Sequence, residues 1–233
     1  MARKSTPKRS ARKRSAAPRP NPADPARERI IAAFMALLAE NPFEQIELAD
    51  VAQRAGVSLS QLRDEFGSLF AIFSAKVKEI DRIVLDGVDP DLAEEPARER
   101  LFDVLMRRLE ALSPHRAALR SLMNSAMRNP GLAFALNNLA VRTQRWMLTA
   151  AGIDTAGPRG LMRAQGLALL FGSVLRTFLD DDDPGLSRTM ASLDRELERG
   201  HRWSSFLDDL CALPRACMRR CRRRRGGEEP IAA

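Results

Sequence analysis

The chain has 233 residues, a formal net charge of +8 and three cysteines, all of which lie beyond position 210. A chain of this length can bury one substantial core or two small ones. It lacks a run of eighteen apolar residues, which excludes a membrane-spanning helix. An odd number of cysteines in a polar tail argues against a disulfide scaffold, so we expect a reduced, cytoplasmic setting.

The positive charge is concentrated at the two ends of the chain. Residues 1–23 contain eight Lys or Arg and no acid, and residues 215–233 contain seven Arg and two Glu. The residues between them, 24–214, hold 23 bases and 28 acids. The composition therefore predicts an acidic folded body between two basic segments.

Residues 1–26 are predicted to form a disordered basic arm. They include five prolines and no large apolar residue beyond Met1, so they cannot bury enough surface to offset the entropy of ordering. Such an arm can follow the DNA minor groove or backbone, it can meet anionic lipid, or it can be a solubilising tail without a fixed partner. The arm residues proposed for DNA contact are Arg9, Arg12, Lys13 and Arg14.

A first helix and a helix-turn-helix are predicted after the arm. The first helix is expected from about Asp24 to Asn41, which precedes Pro42. Residues 46–73 then spell two short helices joined at Gly56, which permits a left-handed backbone step. Leu48, Val51 and Ala52 are expected on one face of the first short helix, and Ser58 with Gln61 fits the capping pattern S-x-x-Q. This arrangement places the second short helix across a DNA major groove.

The predicted recognition helix runs from Ser58 to Phe66, with Leu62 and Phe66 facing inward. Its candidates for base or phosphate contact are Ser58, Leu59, Ser60, Gln61 and Arg63. Gln61 can bond adenine edges, and Arg63 can bond guanine or a phosphate. Asp64 and Glu65 oppose DNA, and residues 27–80 contain six bases and eight acids. A helix-turn-helix kept only as a structural unit is therefore the alternative.

Six further helices are predicted, and no segment alternates with the period of a strand, so the expected fold is all-α with about nine helices. Their expected ranges are Ser68 to Leu85, Pro96 to Leu112, Pro114 to Asn129, Pro130 to Gly152, Pro158 to Leu179, and a last helix from Asp183-Pro184. The helix from Pro158 is apolar around much of its circumference, so both of its sides should be covered. Its small residues Gly166, Gly172 and Ser173 favour a symmetric dimer interface, and a monomer core is the alternative.

The last thirty residues combine apolar and basic side chains. Trp203, Phe206 and Leu210 precede an Arg-rich run over 219–225. This pattern is typical of a segment that lies on an anionic membrane surface. A short helix packed on the body, followed by a disordered basic tail, is the alternative.

No catalytic, cofactor or metal site is predicted. His115 and His201 have no evident nucleophile beside them, and phosphate-binding and dinucleotide-binding glycine motifs are absent from the sequence. The cysteine spacing is not a zinc pattern, and the acids over 180–183 suit a helix cap better than calcium. Six methionines in the body suit either an adaptable apolar pocket or an ordinary core, so no ligand-contacting residue is assigned.

Three short motifs resemble the amino-terminal domain of the TetR family of bacterial regulators. They are Ala55-Gly56-Val57-Ser58, Leu62-Arg63-Asp64-Glu65-Phe66 and Gly67-Ser68-Leu69, and the resemblance covers about residues 27–75. The family has a tyrosine where this chain has Arg63 and a lysine where it has Leu69, and both family residues usually touch phosphates.

This resemblance implies a domain plan and a function. The plan is a basic arm over 1–26, a DNA-binding domain over 27–67, a ligand-binding and dimerisation domain over 68–203, and an amphipathic, Arg-rich tail over 204–233. The implied protein is a homodimeric transcription regulator, a repressor that binds double-stranded DNA and has no enzymatic activity or cofactor. A small apolar effector entering between helices 4 and 8 would release the DNA.

A second resemblance supplies an alternative function. Residues 175–197 and 96–102 are similar to parts of the lipid-binding accessory protein of ubiquinone biosynthesis, which has a TetR-type fold. It implies a lipid-binding protein at the membrane surface that contacts no operator.

Overall fold

The computed structural model describes residues 25–200, which consist of helices and the turns between them. Eight α-helices are complete: α1 Ala26–Glu40, α2 Leu48–Ala55, α3 Leu59–Glu65, α4 Leu69–Asp86, α5 Ala97–Leu112, α6 Arg116–Arg128, α7 Pro130–Ala150 and α8 Gly157–Leu179. A ninth helix, α9, covers 187–200 and reaches the end of the described range. The all-α prediction is confirmed. The predictions for residues 1–24 and 201–233 lie outside the described residues.

Helix boundaries follow the capping residues that the sequence offers. The Ser68 hydroxyl oxygen accepts the Ala71 N–H at 3.1 Å at the start of α4. The Asn129 side-chain oxygen accepts the Leu132 N–H at 3.0 Å, and Pro130 occupies the first turn of α7, where its missing N–H costs nothing. Predicted and observed boundaries therefore agree closely at these helices.

Two helices begin later than predicted. Pro114 lies in a 3-10 turn, Ser113–His115, and α6 follows at Arg116. α9 begins at residue 187 rather than at Asp183, because the Asp183 carboxylate accepts the N–H groups of Gly185 at 3.1 Å and Ser187 at 3.2 Å. Leu186 between them has a φ of 54°, a conformation that a helix does not allow.

Two large apolar residues of the body are exposed rather than buried in the core. Trp146 is 59% exposed, since the inner face of α7 is formed by Leu139, Thr143 and Met147. Met190 is 43% exposed on α9. Thr189 takes the inward position there, with its N–H and hydroxyl both donating to the Asp181 carboxylate, at 2.8 and 2.7 Å.

The outer face of α8 is open in the single chain. Its inner face buries Ala164, Phe171 and Val174, whereas Leu169 is 64% exposed. A methyl group added at Gly166 or Gly172 would meet nothing within 4 Å. The expectation that both sides of this helix are covered is therefore not met within one protomer. Within the described residues, none of the helices combines the length and the apolar character that crossing a membrane requires.

α1 connects the head, α1–α3, to the body, α4–α9. It packs on α2 and α3 within the head and on α4 and α6 in the body. Two serines of α6 bond the backbone that follows α1: the Ser121 hydroxyl donates to the Asn41 carbonyl at 2.7 Å, and Ser125 accepts the Phe43 N–H at 3.0 Å. The head is thus held to the body by α6 as well as by α4, and the contact with α6 was not predicted from the sequence.

Replacing Ser125 by Ala is expected to lower the free energy of unfolding by about 1–2 kcal/mol, because the N–H of the half-buried Phe43 loses its acceptor, the buried Ser125 hydroxyl. For a protein of this size the melting temperature should fall by roughly 2–8 °C, as measured by calorimetry. Asn124→Ala, on the adjacent exposed position of α6, is the control and should change little. Equal melting temperatures for the two variants would contradict a stabilising role for this bond.

Candidate nucleic-acid interface

The turn between α2 and α3 has the geometry that a helix-turn-helix requires. Gly56 ends α2 with φ 65° and ψ 40°, a left-handed conformation that glycine adopts without strain. The N–H groups of Gly56 and Val57 bond back to the carbonyls of Gln53 at 3.2 Å and Ala52 at 3.1 Å. These bonds close the end of α2, so the chain enters α3 at a defined angle.

The first turn of α3 is closed by a reciprocal cap, as predicted. The Ser58 hydroxyl oxygen accepts the Gln61 N–H at 3.2 Å, and the Gln61 side-chain oxygen accepts the Ser58 N–H at 2.9 Å. The Ser60 hydroxyl is also hydrogen bonded to that of Ser58, at 2.8 Å. A helix of seven residues is marginal alone, and this cap holds its amino-terminal end in place.

The inner face of α3 is anchored in the head. Leu62 and Phe66 are 2% and 5% exposed. The Arg27 guanidinium of α1 lies 4.6 Å from the centre of the Phe66 ring and pairs with Glu65 at 3.2 Å. Arg27 therefore neutralises Glu65, one of the two acids of α3. Asp64 and Arg63 are the remaining charges of the helix. The pair of Arg27 and Glu65 was not predicted from the sequence, because 38 residues separate its members.

The outer face of α3 presents the predicted contact residues together. Leu59, Ser60, Gln61 and Arg63 are all exposed, and Leu59 reaches 57%. Arg63 bonds the Gly67 carbonyl at 3.4 Å, a long contact that leaves its other donors available. Asp64 follows Ser60 by four residues, so it lies near the centre of this face. The surface offered to a ligand is thus polar and has no net charge.

The cap restricts what Gln61 can read. An adenine edge requires both the oxygen and the nitrogen of a side-chain amide. The Gln61 oxygen already accepts the Ser58 N–H. With the cap intact, the oxygen is directed at the Ser58 N–H rather than at a base, whereas the amide nitrogen can donate to an acceptor such as guanine O6 or N7, or thymine O4.

Two other positions differ from the expectations for a DNA-binding surface. Leu69, where the resembling family has a lysine, is half-buried and packs on the core. Leu48, which we expected to face inward with Val51 and Ala52, is 38% exposed because it is the first residue of α2. Val51 and Ala52 are buried as expected. Arg54 adds a link from α2 to α1, because its two terminal nitrogens donate to Glu40 at 2.6 and 2.8 Å, and these bonds raise the pKa of Arg54.

The predicted site residues fall into two groups. Ser58, Leu59, Ser60, Gln61 and Arg63 lie on one short helix and its cap. Arg9, Arg12, Lys13 and Arg14 lie outside the described residues. Among residues 25–200, acidic, cysteine and histidine side chains do not assemble into a cluster able to hold a metal ion.

No family profile and no curated protein matches this sequence, but solved structures share its fold. A TetR transcriptional regulator from Nitrosomonas europaea superposes with a TM-score of 0.60 and 22% identity, over 76% of this chain and 99% of that one. A TetR transcriptional regulator from Rhodococcus sp. RHA1 gives 0.52 and 23%, over 75% and 95%. A TetR-family regulator from Streptomyces coelicolor gives 0.52 and 16%, over 83% and 88%. The chain therefore has the fold of TetR regulators.

Proposed function

We propose that this protein, which has the fold of the TetR regulators, is a DNA-binding transcription regulator that responds to a small effector. The observation that carries the proposal is the outer face of α3, on which four exposed contact residues are held by a reciprocal cap and a buried inner face. The protein would act in the cytoplasm, without catalysis. The resemblance to a lipid-binding accessory protein gains no support from the three regulators named above.

The dimensions of α3 suit a major groove. An α-helix with its side chains is about 10–12 Å across, close to the groove width of about 12 Å, and the seven residues of α3 span about 10 Å along the helix axis. Leu59 would lie against a thymine methyl, the Gln61 amide nitrogen would donate to a base acceptor, and Arg63 would reach guanine or a phosphate. Base preference would then come from a helix face without net charge.

Affinity would come largely from the basic arm. Eight positive charges precede α1, and five or six phosphate contacts would give a slope of roughly −5 in a plot of log affinity against log salt concentration. Deleting residues 1–23 is therefore expected to weaken binding to all sequences alike and to flatten this slope. Fluorescence anisotropy with specific and scrambled duplexes measures both effects when the salt concentration is varied over roughly 50–300 mM. An unchanged slope would contradict a role for the arm.

Dimerisation would place two heads on one operator. The open outer face of α8 supports it, because Gly166 and Gly172 leave room for a second backbone and Leu169 offers apolar surface. In a two-fold dimer both protomers use the same surface patch and are related by a rotation of about 180°, so the two copies of α3 would address matching half-sites. The matching operator would be a near-palindrome.

An effector would act through the helices that join the head to the body. α4 starts four residues after α3 ends, and α6 bonds the backbone after α1. A ligand that moved either helix would change the position of the head. The expected coupling free energy between effector binding and DNA binding is on the order of 1–3 kcal/mol.

A further inference from the structure

Asp64 lies at the centre of the outer face of α3. Successive residues of an α-helix are rotated by about 100°, so Asp64 and Ser60 each lie about 160° from the buried Leu62. Of these two, serine has the shorter side chain, and the Ser60 hydroxyl is already bonded to that of Ser58 at 2.8 Å. When α3 enters a major groove with this face, the Asp64 carboxylate is therefore directed at the base edges.

The charges of α3 are arranged so that only the central acid is unpaired. Glu65, nearer the edge of the face, pairs with Arg27 at 3.2 Å. Arg63 donates to the Gly67 carbonyl at 3.4 Å and is thus turned toward the carboxyl end of the helix. Within residues 25–200, the Asp64 carboxylate has neither a hydrogen bond nor an ion pair, and its residue is exposed. A carboxylate that loses its water in a groove must find a donor there, because an unmatched charge is costly.

The major groove offers a carboxylate few donors. Cytosine presents the N4 amino group and adenine presents the N6 amino group, whereas guanine O6 and thymine O4 are acceptors that repel a carboxylate. In adenine the N7 acceptor lies beside N6, so the second carboxylate oxygen would meet a repelling atom. Cytosine has no acceptor in the groove and is therefore the better partner.

A matching donor lies next to Asp64 on the same face. Gln61 precedes Asp64 by three residues, a spacing that makes the two side chains neighbours on a helix. The Gln61 oxygen accepts the Ser58 N–H, whereas its amide nitrogen can donate to guanine O6. In a C·G pair the cytosine N4 donor and the guanine O6 acceptor lie side by side, so one acceptor and one donor on adjacent side chains match this pair.

We infer that Asp64 reads a cytosine through its N4 amino group, and that Gln61 donates to the guanine of the same base pair. This inference rests on the proposed function, because it assigns one base pair of the sequence that the head selects. A different pair at that position should weaken binding at least about fivefold. The same carboxylate weakens binding to every duplex that offers it no donor, so it acts by rejecting wrong sequences as well as by accepting the right one.

Asp64→Asn tests the identity of the base. An asparagine amide has both a donor and an acceptor, which match N7 and N6 of adenine. Selection from a random duplex library with the full-length protein, followed by sequencing of the bound fraction, should show cytosine at one position of each half-site. Asp64→Asn should change that cytosine to adenine and leave the other positions as they were.

Asp64→Ala tests the contribution of the carboxylate. The preference at that position should fall from at least about fivefold to near equality, and scrambled duplexes should bind more tightly because a negative charge is gone. Fluorescence anisotropy with duplexes that differ at the single base pair measures both effects. Glu44→Gln removes a negative charge from an exposed position of the head outside α3, and it should keep the selected sequence. Circular dichroism verifies that each variant stays helical.

The outcomes separate this inference from the proposed function. A selected sequence that both Asp64 variants leave unchanged overturns the inference alone, even if both bind all duplexes more tightly, because Asp64 would then only repel DNA. An A·T pair in the wild-type sequence at the position that the variants alter also overturns it. If the full-length protein selects no sequence, the proposed function fails and the inference fails with it.

Discussion

A carboxylate introduced on the outer face of α8, as Leu169→Glu, is expected to make the protein monomeric and to lower its affinity for a palindromic operator at least about 100-fold. Leu169 is 64% exposed in one protomer and lies between Gly166 and Gly172, where a second backbone can approach. Two-fold symmetry would bring two buried, like charges to one interface, which costs several kcal/mol. A monomer contacts only one half-site, so it loses the avidity of bivalent binding, which raises affinity by a factor of about 10²–10⁴.

Sedimentation equilibrium and anisotropy with one-half-site and two-half-site duplexes measure these effects. Met127→Glu places the same charge on an equally open apolar residue, 78% exposed at the end of α6, and should leave the dimer intact. If Leu169→Glu remains dimeric, the interface lies elsewhere on the chain. If it becomes monomeric with unchanged operator affinity, dimerisation is not required for DNA binding.

Removing the contact residues of α3 is expected to reduce sequence preference rather than overall affinity. Gln61→Ala and Arg63→Ala should each cost about 1–3 kcal/mol on the preferred duplex, a factor of roughly 5–150, and much less on a scrambled duplex. Gln61 also caps its own helix, so part of its effect will be structural. Gln61→Glu keeps an oxygen for the Ser58 N–H and removes the amide donor, which separates capping from base contact.

Competition selection from a random library, with sequencing of the bound fraction, measures the preference. Arg82→Ala removes a positive charge from an exposed position near the end of α4 that is distant from the head. This variant controls for the loss of charge alone. An equal loss for every sequence in Arg63→Ala would show that Arg63 contacts only phosphate. An unchanged preference in both α3 variants would mean that this helix does not read bases.

The local parts of the interface were predictable from sequence. The S-x-x-Q cap and the left-handed Gly56 each depend on residues within four positions of one another, so a motif is enough to specify their geometry. The cap of α4 at Ser68 and the cap of α7 at Asn129 with Pro130 are equally local and were equally predictable. The predicted start of the last helix was wrong because the Asp183 side chain draws two N–H groups into a turn, and α9 begins only after that turn. Thr189, and not Met190, lies inward on α9 because Thr189 bonds Asp181.

The sequence by itself determined that this protein is all-helical, that it has a helix-turn-helix, and which residues of α3 face outward. Only the tertiary structure decided which distant residues meet. Arg27 matches Glu65 across 38 positions, and Asp81 meets Arg108 in the core. The physical reason is that backbone hydrogen bonds and caps join near neighbours, whereas contacts between helices depend on how each helix is rotated and packed. A pattern of residue types along one helix does not specify that rotation relative to another.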